Sequence, residues 1–206
     1  TLIDKHLKKT LCNVGYMGIG EYASCKNGVR TKQYPCWCSM IKRCYSTKCL
    51  ERDYTYKNCS VCEEWHNFQN FAKWYDENYY QVPREQMNLD KDILHKGNKI
   101  YSPDNCVFVP KMINSLFTKS NRSRGKYPIG VDYNKGMHQF RARCRRFVNN
   151  QFQSVTLGFY NTPIEAFNIY KAYKEETIKL VAQYYKSLIP EKLYKALIQY
   201  QVDVTD

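Results

Sequence analysis

Apolar residues recur along this chain at two different periods. From Cys36 to Tyr45, Trp37, Met40, Ile41 and Cys44 are spaced by three and four, the period of a helix with one buried face. Residues 62–80 repeat the pattern, with Trp65, Phe68, Phe71, Ala72 and Tyr75 on one stripe, and such stripes are packing faces. Ahead of them, residues 1–34 carry Gly15, Gly18, Gly20 and Gly28 between aromatic and apolar residues, which predicts a short, irregular, hairpin-like entry. Residues 87–118 change character. Met87–Asp90 is a short extended piece, and the loop from Lys91 to Pro103 carries Gly97-Asn98 and Ser102-Pro103. Asn105–Val109 is apolar and β-branched, and Pro110 opens a helix with Met112, Ile113, Leu116 and Phe117. The expected order is strand, loop, strand, helix.

Beyond a polar, basic run at 118–128, the period becomes two. Pro128–Asn134, His138–Arg145 and Phe152–Phe159 read as strands, with turns at Lys135-Gly136 and Asn149-Asn150. The middle strand alternates: Phe140, Ala142 and Cys144 point one way, and Gln139, Arg141, Arg143 and Arg145 the other. A helix follows, with Thr162 as N-cap, Pro163 at the first helical position and Glu165 completing a capping box. Ala166, Tyr170, Tyr173, Val181 and Tyr184 supply its core face, and Pro190 starts a last short helix. This predicts a domain over 1–118, a basic linker over 119–127 and a second domain over 128–206.

Charge sharpens the picture. The 206 residues carry 32 Lys plus Arg against 19 Asp plus Glu, a formal net charge of +13. Between Lys119 and Val148 stand nine basic residues (Lys119, Arg122, Arg124, Lys126, Lys135, Arg141, Arg143, Arg145 and Arg146) and one acid, Asp132, which is eight of that excess. Positive charge gathered in this way favours a polyanion, because binding releases the counterions condensed on a phosphate backbone. Three arginines at alternate positions of one strand repel one another unless an anion lies over them, and arginine pairs bidentately with guanine and with phosphate. A solvated sheet face is the plainer alternative. Charges interrupt every apolar run short of a membrane span, and the N-terminal residues lack a signal-peptide stretch, so a cytoplasmic protein is expected.

The ten cysteines are expected to be reduced core thiols rather than a disulfide framework. Cys59-Ser-Val-Cys62 has the spacing of half a zinc site, with Cys36, Cys38 and Cys44 nearby, but no second pair of that spacing follows. Structural zinc is the less favoured reading.

Two resemblances become visible at this point. Arg124-Gly125, Gly130-Val131, Phe140-Arg-Ala142, Leu157-Gly-Phe-Tyr-Asn-Thr-Pro-Ile-Glu-Ala166 and Tyr170-Lys-Ala172 resemble the plant ethylene-response-factor (APETALA-type) DNA-binding domain over residues 124–186. That resemblance implies a three-stranded sheet lying in the major groove of DNA, with Arg141, Arg143 and Arg145 as contacts. Arg122, Arg124, Lys126, Lys135, Gln139 and Arg146 extend the expected interface, and the linker would follow the backbone or minor groove. Leu89-Asp-Lys-Asp92, Tyr101-Ser-Pro-Asp-Asn105-Cys106 and Asn114, preceded by Cys36-Trp-Cys-Ser-Met40, Arg43-Cys-Tyr45 and Cys62-Glu-Glu-Trp65, resemble phage HNH (ββα-metal) homing-type endonucleases over residues 34–118. The resemblance implies hydrolysis of a phosphodiester with one Mg²⁺ or Mn²⁺ held by Asp90 and Asn114, with Asn105 pinning the loop.

One position departs from that pattern: Lys91 stands where the family has its histidine base. A lysine of ordinary pKa is protonated near neutral pH. Either Lys91 has a depressed pKa or holds the phosphate, or His95 or Asp92 replaces the base, or the motif is inactive. The expected fold is therefore α+β, an HNH domain followed by a three-stranded antiparallel sheet packed on a helix. The expected function is a DNA endonuclease acting on double-stranded DNA, with a homodimer compatible with it. The alternatives are a non-catalytic, sequence-specific DNA-binding regulator on an inactive HNH scaffold, and a zinc-stabilised nucleic-acid binder.

Overall fold

A computed structural model describes residues 2–118 and 126–204. The chain divides into two compact units, Thr1–Pro110 and Lys111–Asp206, and mixes helices with small sheets. Among the described residues no helix is long and apolar enough to cross a membrane.

The first unit begins with α1 (Leu2–Leu7) and a two-stranded hairpin, β1 (Cys25–Lys26) with β2 (Val29–Arg30). Asn27 and Gly28 close that hairpin at φ 52° and 77°, the left-handed pair that a two-residue turn between twisted strands requires. The two apolar stripes form helices. α2 (Gln33–Tyr45) buries Trp37, Met40, Ile41 and Cys44, and α4 (Phe68–Asn78) buries Phe68, Phe71, Ala72, Trp74 and Tyr75. Between them come α3 (Thr47–Arg52) and a 3-10 turn over Glu63–His66. Asn67 caps α4 by accepting a hydrogen bond from Gln69 N at 3.0 Å. In the core Trp37 Nε1 donates to the Trp65 carbonyl at 2.7 Å, whereas the buried Trp65 Nε1 has no hydrogen-bond partner among the described residues.

Strand, loop, strand follows in the expected order. β4 (Met87–Asp90) pairs antiparallel with β6 (Val107–Pro110), matching Met87 with Pro110 and Asp90 with Val107. Pro110 ends the strand instead of opening the helix, which starts at Lys111. A second pairing has no periodic signal in the sequence. β3 (Ser60–Val61) lies parallel to β5 (Ile100–Tyr101), two residues each, and ties the loop between β4 and β6 to the segment after α3.

The second unit starts with α5 (Lys111–Leu116). β7 (Val131–Asn134), β8 (Gln139–Val148) and β9 (Gln151–Tyr160) then form an antiparallel sheet in the order β7-β8-β9. Asn149 and Asn150, at φ 50° and 60°, turn β8 into β9 with Val148 opposite Gln151. α6 (Pro163–Tyr185) has the predicted capping box: Glu165 N donates to Thr162 Oγ1 at 3.2 Å, and Thr162 N to Glu165 Oε2 at 3.1 Å. Its buried face is Ala166, Phe167, Tyr170 and Ile178 onward, closing with Tyr185, whereas the expected Tyr184 is exposed and touches Phe147 edge-on. Gly130, at φ 76°, lets the sheet meet this helix, since a Cβ there would stand 2.1 Å from the Tyr170 ring. α7 (Glu191–Ile198) completes the unit.

The division between units falls after Pro110 and not at the polar run over 119–127. α5 is held inside the second unit: Lys174 Nζ donates to the Leu116 carbonyl at 2.7 Å, and Tyr185 Oη lies 3.4 Å from Met112 Sδ. Glycine and serine mark where a chain is loosely specified, but they do not say on which side a six-residue helix packs. Lys119, Arg122 and Arg124 lie outside the described residues.

Candidate active site and nucleic-acid interface

Asp90 is the last residue of β4, and its side chain makes the turn that follows. Oδ1 accepts from Asp92 N at 2.9 Å and from Ile93 N at 2.8 Å, the bonding of an Asx turn. Burial, reinforced by the Asp92 charge, pushes the Asp90 pKa up to about 6, against those two bonds and Lys91. A carboxylate starved of water in this way gains from a cation beside it.

Lys91 follows immediately. Its ammonium lies 3.3 Å from Asp92 Oδ2 and faces the rings of Tyr101 and Tyr56 at 5.7 and 6.0 Å. Burial works against the charged form, but Asp92, Cys59 and Asp90 outweigh it, and the pKa sits above the ordinary lysine value. Of the alternatives for Lys91, a depressed pKa is the one these surroundings oppose.

Two amides brace the loop. Asn98 Nδ2 donates to the carbonyls of Lys91 at 2.7 Å and Ile100 at 2.8 Å. Asn105 Nδ2 reaches Asn98 Oδ1 at 3.3 Å and the Ile100 carbonyl at 3.4 Å. These contacts tie Asn105 to the Asn98–Ile100 stretch of the loop. Asn98 shares the work, although the sequence marks it only as half of a Gly-Asn turn. His95 is exposed in the same loop, where its carbonyl accepts from Asn98 N at 2.9 Å. Asn114 is half-buried on α5, in the second unit. The two ligands implied for one metal, Asp90 and Asn114, are therefore distributed over the two units.

The donor types present in the Asp90 turn suit a hard cation. Mg²⁺ takes one or two carboxylates and keeps several waters, and Asp90 with Asp92 offers two in one turn. The thiols are a poorer set: burial pushes Cys36 and Cys44 up to about 12 and raises Cys59 and Cys62, which keeps them protonated. Among the described residues no group of three or more His, Cys, Asp or Glu side chains stands together, so Cys59 and Cys62 gain no third partner of those types.

Residues beyond the motif also contribute. Arg43 of α2 faces Tyr56 at 5.4 Å and Tyr101 at 5.5 Å and donates to Tyr56 Oη at 3.3 Å. Arg43 and Lys91 thus bracket the same two rings, an arrangement no local sequence signal indicates.

In the second unit, the alternation on β8 is as expected: Ala142 and Cys144 are buried, while Arg143 and Arg145 are exposed and Arg141 half-exposed. The arginines are not a bare cationic row, however. Arg141 Nη2 pairs with Asp132 Oδ2 at 2.7 Å, and Arg143 Nε with Asp132 Oδ1 at 2.8 Å. Although burial opposes it, these bonds hold the Asp132 carboxyl below its ordinary pKa. Mutual repulsion is relieved by the one acid of the region, directly across on β7 in register with Arg141. Arg145 bends away, donates to the Ser115 carbonyl of α5 and covers the Phe152 ring at 4.9 Å. With Lys174 on Leu116, it satisfies carbonyls that the end of α5 leaves open.

The remaining predicted contacts are dispersed. Lys126, Lys135 and Arg146 are exposed, and Gln139 Nε2 donates to Asn161 Oδ1 at 3.3 Å. His138 sits in the β7–β8 turn at φ 52° rather than opening a strand. No protein family, curated protein or solved structure matches this chain.

Proposed function

We propose that this protein is an HNH-type endonuclease that hydrolyses phosphodiester bonds of double-stranded DNA with one divalent cation, directed by the β7–β9 sheet. The observation that carries the reading is the Asp90 turn: a half-buried carboxylate at the end of β4, a loop braced by Asn98 and Asn105, and an antiparallel β6. Bound there, Mg²⁺ or Mn²⁺ would supply charge stabilisation on the scissile phosphate and its leaving oxygen. Asp90, with Asp92 in the same turn, would hold the ion. Asn105 keeps the loop in place, and Lys91 would hold a phosphate oxygen as a fixed cation. His95 or Asp92 would accept the proton of the attacking water. Asp132 aligns Arg141 and Arg143 side by side, where phosphate or guanine can take over their N–H groups.

The test is cleavage of supercoiled plasmid with Mg²⁺ or Mn²⁺ by wild type, Asp90→Ala, Asn114→Ala, Lys91→Ala and His95→Ala, with DNA binding measured in parallel. Loss of metal-dependent cleavage in the Asp90 and Asn114 variants with binding intact supports the nuclease. A second reading, the non-catalytic DNA-binding regulator, draws on one observation: a protonated lysine at the position of the family's base. Specific binding without cleavage at any pH or metal would favour it. A further proposal is a cytoplasmic site of action, where host or phage DNA is accessible.

A further inference from the structure

An open groove of about 450 Å³ runs along one face of α2 in the first unit. Its walls are Arg30 on β2, Lys42 and Arg43 on α2, Arg52 on α3, and Tyr34 between them. Every charged residue lining it is a cation. Arg30 and Lys42 are exposed, and Arg30 stands 6.0 Å from the centre of the Tyr34 ring. From Tyr34 to Lys42 the helix rises about 12 Å. At its far end the groove meets the candidate active site, because Arg43 faces the same Tyr56 and Tyr101 rings as Lys91.

We infer that this groove is a phosphate-backbone track: a second DNA-contacting surface, on the first unit, that leads one strand toward the Asp90–Lys91 turn. The inference names how the substrate of the proposed nuclease is held, and in that respect rests on that reading. A lone cationic side chain is an ordinary solvated group. Arg30, Lys42 and Arg43 on one concave surface without an acid among its walls keep a standing positive potential, which a polyanion satisfies through counterion release. Tyr34 adds a flat, partly apolar wall, suited to the sugar and base edges beside a backbone.

The experiment is the salt dependence of double-stranded DNA binding by the full chain, compared with Arg30→Gln/Lys42→Gln and with a control of equal charge, Lys57→Gln/Lys73→Gln. Lys57 and Lys73 are exposed on the same unit and outside the groove. Each lost phosphate contact lowers the slope of log affinity against log salt by about 0.9, so the groove variant should lose close to two, with weaker binding, while the control keeps the wild-type slope. Thermal unfolding checks that both variants fold. An unchanged slope in the groove variant, or an equal drop in the control, overturns the track. A wild type that cuts DNA beside an unchanged groove slope sinks the track alone. A reduced groove slope in a chain that never cuts sinks the nuclease and leaves the track standing.

Discussion

Asp90 carries two tasks that single substitutions can separate. Its Oδ1 organises the turn through Asp92 N and Ile93 N, and its charge is what a cation would use. Asp90→Asn keeps an amide oxygen as acceptor and removes a half-buried negative charge that its surroundings disfavour. It should therefore match or exceed the wild type in thermal stability while losing metal-dependent cleavage. Asp90→Ala should be the less stable, by about 1–3 kcal/mol, since buried donors lose their acceptor. Comparing the two melting temperatures checks this. Lys91→Ala should raise KM for DNA and leave the shape of the pH–rate profile unchanged, because an ammonium above its ordinary pKa does not titrate near neutrality. His95→Ala should lower kcat for cleavage and leave DNA binding unchanged.

Lys174 offers a prediction of different sign. Burial lowers its pKa from 10.5 to about 8, with Cys144 opposing and Arg145 adding. The folded state thus binds fewer protons than the unfolded chain between those values, so stability rises with pH across that window. Below pH 8 the cost of the buried ammonium is fully present, on the order of 3 kcal/mol at most. In Lys174→Met, urea unfolding should lack the wild type's gain between pH 7.5 and 9.5. Equal pH dependence in the two proteins would contradict the assignment.

At the scale of elements, the sheet and α6 meet through a missing side chain. Gly130 has a left-handed φ and faces the Tyr170 ring where a Cβ would belong. Gly130→Ala should destabilise the second unit by about 2 kcal/mol or more through backbone strain and displacement of that ring. Thr162→Ala removes one half of a complete capping box and should cost about 1 kcal/mol. Chemical denaturation of each variant tests both figures. Such elements were legible because their signals are local: Ala142 and Cys144 alternate with arginines, and Thr162, Pro163 and Glu165 stand at fixed helix-start positions. β3 with β5 was illegible for the opposite reason, as two residues pairing in parallel across a long loop leave no period. The fate of α5 was equally hidden, since Lys174 and Tyr185 select its side from more than fifty residues away. Asp132 is intermediate. It was visible as the lone acid among basic residues, but only the register of β7 on β8 places it against Arg141.

For the whole molecule, the two units carry different cationic surfaces. Arg141 and Arg143, aligned on Asp132, belong to the second, and the Arg30–Lys42 groove with the Asp90 turn to the first. The candidate site was readable as residue types at familiar spacings, namely Asp90, Asn105 and Asn114. Its electrostatics were not, because Lys91, Arg43, Tyr56 and Tyr101 converge only once α2 and β5 are in place. The measurement that tests the central claim most directly is cleavage of supercoiled DNA with Mg²⁺ by wild type and Asp90→Asn, each shown to bind the same DNA. The account predicts nicked or linear product from the wild type, abolished by chelation, and none from Asp90→Asn at equal binding. Equal cleavage by both proteins, or none from a wild type that binds DNA, would contradict it.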